Sequence, residues 1–332
     1  MNFGVIQWSG DGVIEDMICS RLFDIDIAHP ALVATMMMVA TACTPIGVLN
    51  ATAPRSGIAI SRDIAYGDNT RQRLDVYAPK AAPAGTSHAP VVVFLYGGGW
   101  TEGAKKQYGF VARALASRGI VAVLPDYRLY PEVRFPAFIE DAAAATRWAR
   151  DHARNYGGDP RRLFVVGHSA GAYIATMLAL DPHYLAAVGL DPGHDLAGCV
   201  GLAGPYDFLP LGTNELRAIF GSGEALSRTQ PINFVTAKAP PILLLTGRRD
   251  DTVYPRNSIR LAARLRAAGG RVETIVYPRV GHRLLIGAFA SPLRFIAPVL
   301  DDVTRFVVLG PTGFTQRQAQ AAVEPLAWGG KS

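Results

Sequence analysis

Leu163-Phe164-Val165-Val166-Gly167-His168-Ser169-Ala170-Gly171 joins an unbroken apolar run to a stretch of helical character over 169–180. An apolar run without alternation reads as a strand buried on both faces, which is the habit of a parallel sheet. The Gly-x-Ser-x-Gly between strand and helix reads as a sharp turn that lifts the serine hydroxyl above the sheet. The residues flanking the serine must be tiny for so tight a turn, and the helix start points its N–H dipoles at any negative charge that develops there.

Working outward, the same alternation recurs. Residues 58–65 and 73–77 read as a hairpin turning at Gly67-Asp68-Asn69. Buried strands are expected at 90–96, 120–124, 199–202, 242–245 and 272–277, and helices at 104–118, 136–156, 253–268 and 291–308. Repeated β-α units demand an α/β fold, a mostly parallel central sheet with helices on both faces. Residues 208–238 break the alternation and read as a small cap segment over the site. The domain reading is a leader over 1–53, a catalytic domain over 54–310 and a peripheral tail over 311–332.

Two further sequence features converge on the Ser169 turn. Gly97-Gly98-Gly99-Trp100 follows the strand ending at Tyr96, and successive glycines let backbone N–H groups face a ligand. Phosphate-loop and dinucleotide readings fail: Gly103 is followed by Ala104 rather than Lys, and Glu102 stands where the third fingerprint glycine belongs. The glycines instead suit an oxyanion hole built from the N–H groups of Gly98, Gly99 and Ala170. A serine needs a base to take its proton. Gly247-Arg248-Arg249-Asp250-Asp251, after a strand, supplies an acid, and Gly281-His282 supplies an imidazole 32 residues after Asp250. Asp250 is favoured, because Asp251 has its own explanation as a helix N-terminal residue. Asp207 is the alternative acid. His168 is read as structural, its side chain turned away from the serine.

Composition excludes other classes. The chain has 332 residues, 49% hydrophobic and 18% charged, so disorder is excluded and a large core is available. The net charge of +6 is carried by scattered residues with no nucleic-acid motif. Three cysteines build no disulfide framework, and the seven histidines show no zinc spacing, so no metal and no cofactor are expected. No charged residue occurs over 27–54, and the 12-residue apolar run 31–42 suits a signal-peptide core better than a membrane span. Cys43 follows a small-x-small triplet and resembles a lipoprotein attachment cysteine. The acidic flank Glu15, Asp16, Asp24 and Asp26 argues the other way. Export or membrane attachment through this segment is the favoured reading, and a packed N-terminal helix in a cytoplasmic protein the alternative.

Tyr96-Gly97-Gly98-Gly99-Trp100, Asp126-Tyr127-Arg128-Leu129-Tyr130-Pro131-Glu132, Gly157-Gly158-Asp159-Pro160, Gly167–Gly171, 247–253 and Gly281-His282 together resemble the α/β-hydrolase carboxylesterases, near the hormone-sensitive-lipase and feruloyl-esterase-like branches. The resemblance implies an α/β-hydrolase fold, a Ser169–Asp250–His282 triad, an acyl-enzyme mechanism and a small-molecule ester substrate. An amidase or formamidase using the same triad, or a non-catalytic binding protein on the same fold, are the alternatives. Tyr96 stands where the family carries a histidine. Asp126, Arg128 and Asp159 are expected to form a buried, paired scaffold. Trp100, Tyr206 and Phe208 are expected to line the substrate pocket. Oligomeric state is left open.

Overall fold

In the computed structural model, residues 45–80 and 88–310 are described. The leader reading over 1–44, including Cys43, and the tail reading over 311–332 lie outside them. Eight strands form one sheet in the order β1-β2-β4-β3-β5-β6-β7-β8. These are β1 (Ile58–Ala65), β2 (Arg73–Pro79), β3 (Ala89–Leu95), β4 (Val121–Pro125), β5 (Gly158–His168), β6 (Gly198–Leu202), β7 (Ile242–Gly247) and β8 (Val272–Tyr277). The β1–β2 and β2–β4 pairs are antiparallel, and every pair from β4 through β3 to β8 is parallel. The chain therefore has the mostly parallel α/β sheet that the alternating pattern implied and the α/β-hydrolase architecture that the family resemblance implied.

The strands at the centre show why. β3, β4, β6 and β7 are buried at every position, which matches their lack of polar alternation. β1 is an edge strand, and only Ile58 in it is buried. Helix α1 (Pro45–Ala51) lies against α2 (Gly109–Ala116), and Asn50 Nδ2 donates to the Gln107 carbonyl at 2.9 Å. Residues 45–51, assigned above to the leader, thus pack on the body. Helix α3 (Ala137–His152) packs on α4 (Ala170–Leu180), and both pack on β3 and β5. On another side α2 packs on β2 and β4 and meets α10 (Val299–Leu309), which packs on β7. Short helices α5 (Pro182–Ala186), α6 (Pro192–Asp195) and α7 (Asn214–Phe220) fill connections. α8 (Arg256–Ala267) precedes β8, and α9 (His282–Gly287) follows it.

Prolines shorten two of the expected helices. Residues 291–308 form a 3-10 turn at Ser291–Leu293 and then α10, because Pro298 cannot donate within a continuous helix. α8 starts at Arg256, after Pro255, rather than at 253. Asp251 is accordingly not a helix cap. The first half of 104–118 is a 3-10 turn, Lys105–Tyr108, before α2 begins. The expected cap segment holds α7 and two 3-10 turns, with Phe220 and Ile219 buried on the body.

Candidate active site

The elbow is built by exclusion. A Cβ on Gly167 would lie 2.1 Å from the Gly171 carbonyl oxygen, and one on Gly171 would lie 2.0 Å from the Leu95 carbonyl oxygen. Only glycine fits at either place. Between them Ser169 sits at φ 54°, ψ −121°, a conformation held by its own N–H donating to Leu202 O at 2.9 Å and its carbonyl accepting from Tyr173 at 3.1 Å.

Asp250 follows β7 and is 2% exposed. One of its oxygens accepts from the backbone N–H groups of Val253 (2.8 Å) and Thr252 (3.1 Å). The other, Oδ2, lies 2.9 Å from His282 Nδ1. His282 opens α9, just past β8, and its Nε2 lies 2.9 Å from Ser169 Oγ. The loops carrying acid and base touch: Arg249 N–H donates to Val280 O at 3.0 Å, and a Cβ on Gly247 would meet that same oxygen at 2.0 Å. A carboxylate only accepts, so the proton of a neutral His282 sits on Nδ1 and Nε2 is free to accept from the serine hydroxyl. Asp251, by contrast, is exposed, and Asp207 is ion-paired with Arg260 at 2.8 Å.

The glycine loop lies against the elbow. A Cβ on Gly97 would lie 2.9 Å from the Ser169 Cβ. Gly98, Gly99 and Trp100 take φ of 136°, 57° and 65°. The Gly98 carbonyl accepts from Thr101 and Glu102, both at 3.0 Å, so the loop's carbonyl turns inward to itself. Among the described residues the N–H groups of Gly98, Gly99 and Ala170 donate to no protein acceptor. Tyr96, in place of the family's histidine, is clamped: Tyr127 Oη donates to its carbonyl at 2.6 Å and Arg71 Nη2 donates to its hydroxyl at 3.0 Å.

Beside Ser169 lies an aromatic cluster. The Trp100 ring meets Phe220 edge-on at 4.9 Å and Tyr173 edge-on at 5.3 Å, and Phe208 lies 6.2 Å away. Trp100 and Phe208 thus both pack on Tyr173, one helical turn beyond Ser169. Like Tyr173, Tyr206 is fully buried, and a Cβ on Gly201 would lie 2.0 Å from its hydroxyl, so its ring packs against β6. Tyr173 and Phe220 also belong to the cluster. Tyr173 was findable as the residue one helical turn beyond Ser169, whereas nothing local marks Phe220.

The scaffold residues divide. Arg128 and Asp141 form a bidentate pair at 2.7–3.1 Å over a fully buried carboxylate. Asp126 accepts the Lys105 N–H at 2.6 Å, and burial raises its pKa. Asp159, near the start of β5, pairs with the exposed Arg161 and is not part of a buried network. His168 is buried, with Nε2 3.3 Å from the His282 carbonyl and its ring 4.8 Å from the His282 ring. Desolvation, and then the neighbouring His282, hold its pKa well below the ordinary histidine value. Among the described residues no cluster of His, Cys, Asp and Glu could hold a metal, and no helix is long and apolar enough to cross a membrane.

The BD-FAE family model matches residues 74–265. Esterase LipC of Mycobacterium tuberculosis is 34% identical over 265 residues, 74% of this chain and 65% of that protein. Isoprenylcysteine alpha-carbonyl methylesterase ICME of Arabidopsis thaliana is 29% identical over 255 residues, 71% of this chain and 58% of that protein. The chain thus spans less than two thirds of the length of either relative. Among solved structures, a carbohydrate esterase from gut microbiota superposes with a TM-score of 0.67 at 21% identity, covering 79% of this chain and 99% of that one. Esterase B from Lactobacillus rhamnosis gives 0.69 at 18% identity, covering 93% and 99%. These two likenesses concern the fold.

Proposed function

We propose that this chain, which belongs to the BD-FAE family of α/β-hydrolase carboxylesterases, hydrolyses carboxylic esters with Ser169 as nucleophile. The observation that carries the reading is the two-sided contact of His282, 2.9 Å from Ser169 Oγ and 2.9 Å from Asp250 Oδ2. His282 Nε2 takes the hydroxyl proton as Oγ attacks the ester carbonyl. Asp250 holds the Nδ1–H tautomer and stabilises the imidazolium that results. The N–H groups of Gly98, Gly99 and Ala170 receive the tetrahedral oxyanion. His282 then delivers its proton to the leaving alcohol, and water repeats the cycle on the acyl-serine. No cofactor is required by this sequence of steps. The positions of Trp100, Tyr173, Phe208 and Phe220 supply an apolar wall for the acyl or alcohol group.

The test is a p-nitrophenyl ester series from C2 to C16, with N-formylkynurenine alongside to compare ester with formamide. Ser169→Ala should lose on the order of 10⁵–10⁶ in kcat, together with all labelling by a fluorophosphonate probe. Turnover within tenfold of the parent would remove Ser169 as nucleophile.

A further inference from the structure

Away from the triad, the space between β1, β2, α1 and the 3-10 turn before α2 is a cavity of about 960 Å³. None of Ser169, Asp250 or His282 lines it. Its walls carry seven cationic side chains against three carboxylates, a net of +4. All three carboxylates are engaged. Lys105 Nζ bonds Asp63 at 2.5 Å and Asp75 at 2.6 Å, and Asp126 accepts the Lys105 backbone N–H. Arg71 is spent on the protein as well, donating to Tyr127 O at 2.7 Å and Gly103 O at 2.5 Å.

That leaves Arg55, Arg62, Arg73, Lys106 and Arg113. Among the described residues none of these five is ion-paired with a carboxylate. Two are nevertheless held in place: Arg113 lies over the Tyr77 ring at 5.7 Å, and Arg73 donates to the Gln72 carbonyl at 3.2 Å. Guanidinium groups held at a concave wall lose little freedom on binding, and their forked donors match phosphoryl oxygens. A net charge of +4 distributed around one cavity calls for a ligand with several negative charges rather than a monocarboxylate.

We propose that this cavity binds a polyvalent phosphoryl anion, with Arg62, Arg73 and Arg113 clamping the ligand and Lys106 at the rim. Phosphoryl chemistry has two sources here, a free oligophosphate or the headgroups of an anionic phospholipid surface. The site also adjoins the glycine loop. Arg71 lies on the floor of the cavity and touches the Tyr96 hydroxyl, so an occupant sits one side chain away from the residue that precedes Gly97.

The full chain would be titrated with sodium tripolyphosphate by calorimetry at fixed ionic strength, and sedimented with vesicles of phosphatidylcholine with or without phosphatidylglycerol. Saturable tripolyphosphate binding is expected, weakened about tenfold or more by Arg73→Gln or Arg113→Gln. Lys106→Glu, at an exposed position, repeats the test with little risk to folding, and unchanged p-nitrophenyl acetate hydrolysis in each variant certifies the fold. Vesicle binding that needs phosphatidylglycerol, is displaced by tripolyphosphate and falls in the same variants assigns the site to headgroups. Tripolyphosphate binding without vesicle binding assigns it to a soluble anion. Absence of saturable binding to either probe overturns the proposal, as does binding that survives both Arg73→Gln and Lys106→Glu.

Discussion

Gly171 lies so close to Leu95 that a single methyl group at position 171 would stand 2.0 Å from the Leu95 carbonyl oxygen. The first residue pair of α4 therefore rests directly on the end of β3, whose continuation is the glycine loop.

Gly171→Ala is expected to push these two segments apart. Displacing a reacting group by about 1 Å costs on the order of 10² in rate, so kcat/KM on p-nitrophenyl acetate should fall by at least that factor. Gly157→Ala is the control: its φ is +75°, but no atom lies within 4 Å of the added Cβ. It should cost about 1–2 kcal/mol in urea denaturation and leave turnover intact. Equal effects of the two changes on rate would contradict the close approach.

Asp250 and Asp251 are neighbours in sequence with opposite surroundings. Asp250→Asn keeps the shape but gives His282 the wrong tautomer, and the expected loss in kcat is about 10⁴-fold. Asp251→Asn changes an exposed carboxylate and should stay within threefold, on the general rule that surface substitutions perturb little. Steady-state kinetics on both variants separates them, and a collapse of the Asp251 variant would reassign the acid.

His168 should make stability fall in mild acid. Its folded pKa is depressed below the ordinary value of 6.5 by burial, and secondarily by His282. The unfolded chain therefore binds one more proton than the folded chain once the pH drops below about 6.5, so stability declines as pH falls and is fully retained above that value. The limiting slope is about 1.4 kcal/mol per pH unit per proton. Urea midpoints at pH 7.5 and pH 5 should differ less in His168→Gln, whose amide still donates to the His282 carbonyl. Parallel pH slopes in the two proteins would refute the prediction.

Lys105 bridges two aspartates of different depth. Asp75 is 4% exposed, so Lys105→Met leaves a buried carboxylate without its counter-ion, a loss of about 3–5 kcal/mol. Asp63 is solvated, with its side chain 74% exposed, and Asp63→Asn should barely move the melting temperature. Calorimetry that found the two variants equally destabilised would show that Asp75 is not the partner that matters.

Much of this arrangement can be read from residue order. The apolar runs at 120–124, 199–202 and 242–245 stand out because a strand covered on both faces has no reason to alternate, and 272–277 matches β8 to the residue. Ser169, Asp250 and His282 could be singled out because each follows a strand of a parallel sheet, whose ends share one rim. What escaped reading depended on neighbours distant in sequence. Tyr206 looks like a pocket residue beside Phe208, yet the side-chain-free surfaces of Gly201 and Gly204 admit its ring beneath β6. Phe220 joins Trp100 only through the fold of the cap. The basic cavity is equally invisible in the sequence, because Arg62, Arg73 and Arg113 lie on three separate elements. The helix expected over 291–308 is broken for a local reason, because Pro292 and Pro298 lack the N–H that a continuous helix needs.

The strand order has a temporal consequence. The nucleophile's elbow is complete only once β6 has followed β5 and α4, because the Ser169 N–H donates to Leu202 O, and the imidazole that opens α9 comes more than a hundred residues after the serine. A ribosome-bound chain halted before residue 240 would carry a serine with no proton acceptor and an unpaired edge on β6, where β7 normally docks. In the proposed mechanism the proton acceptor is thus supplied only after β8, the last strand to join the sheet.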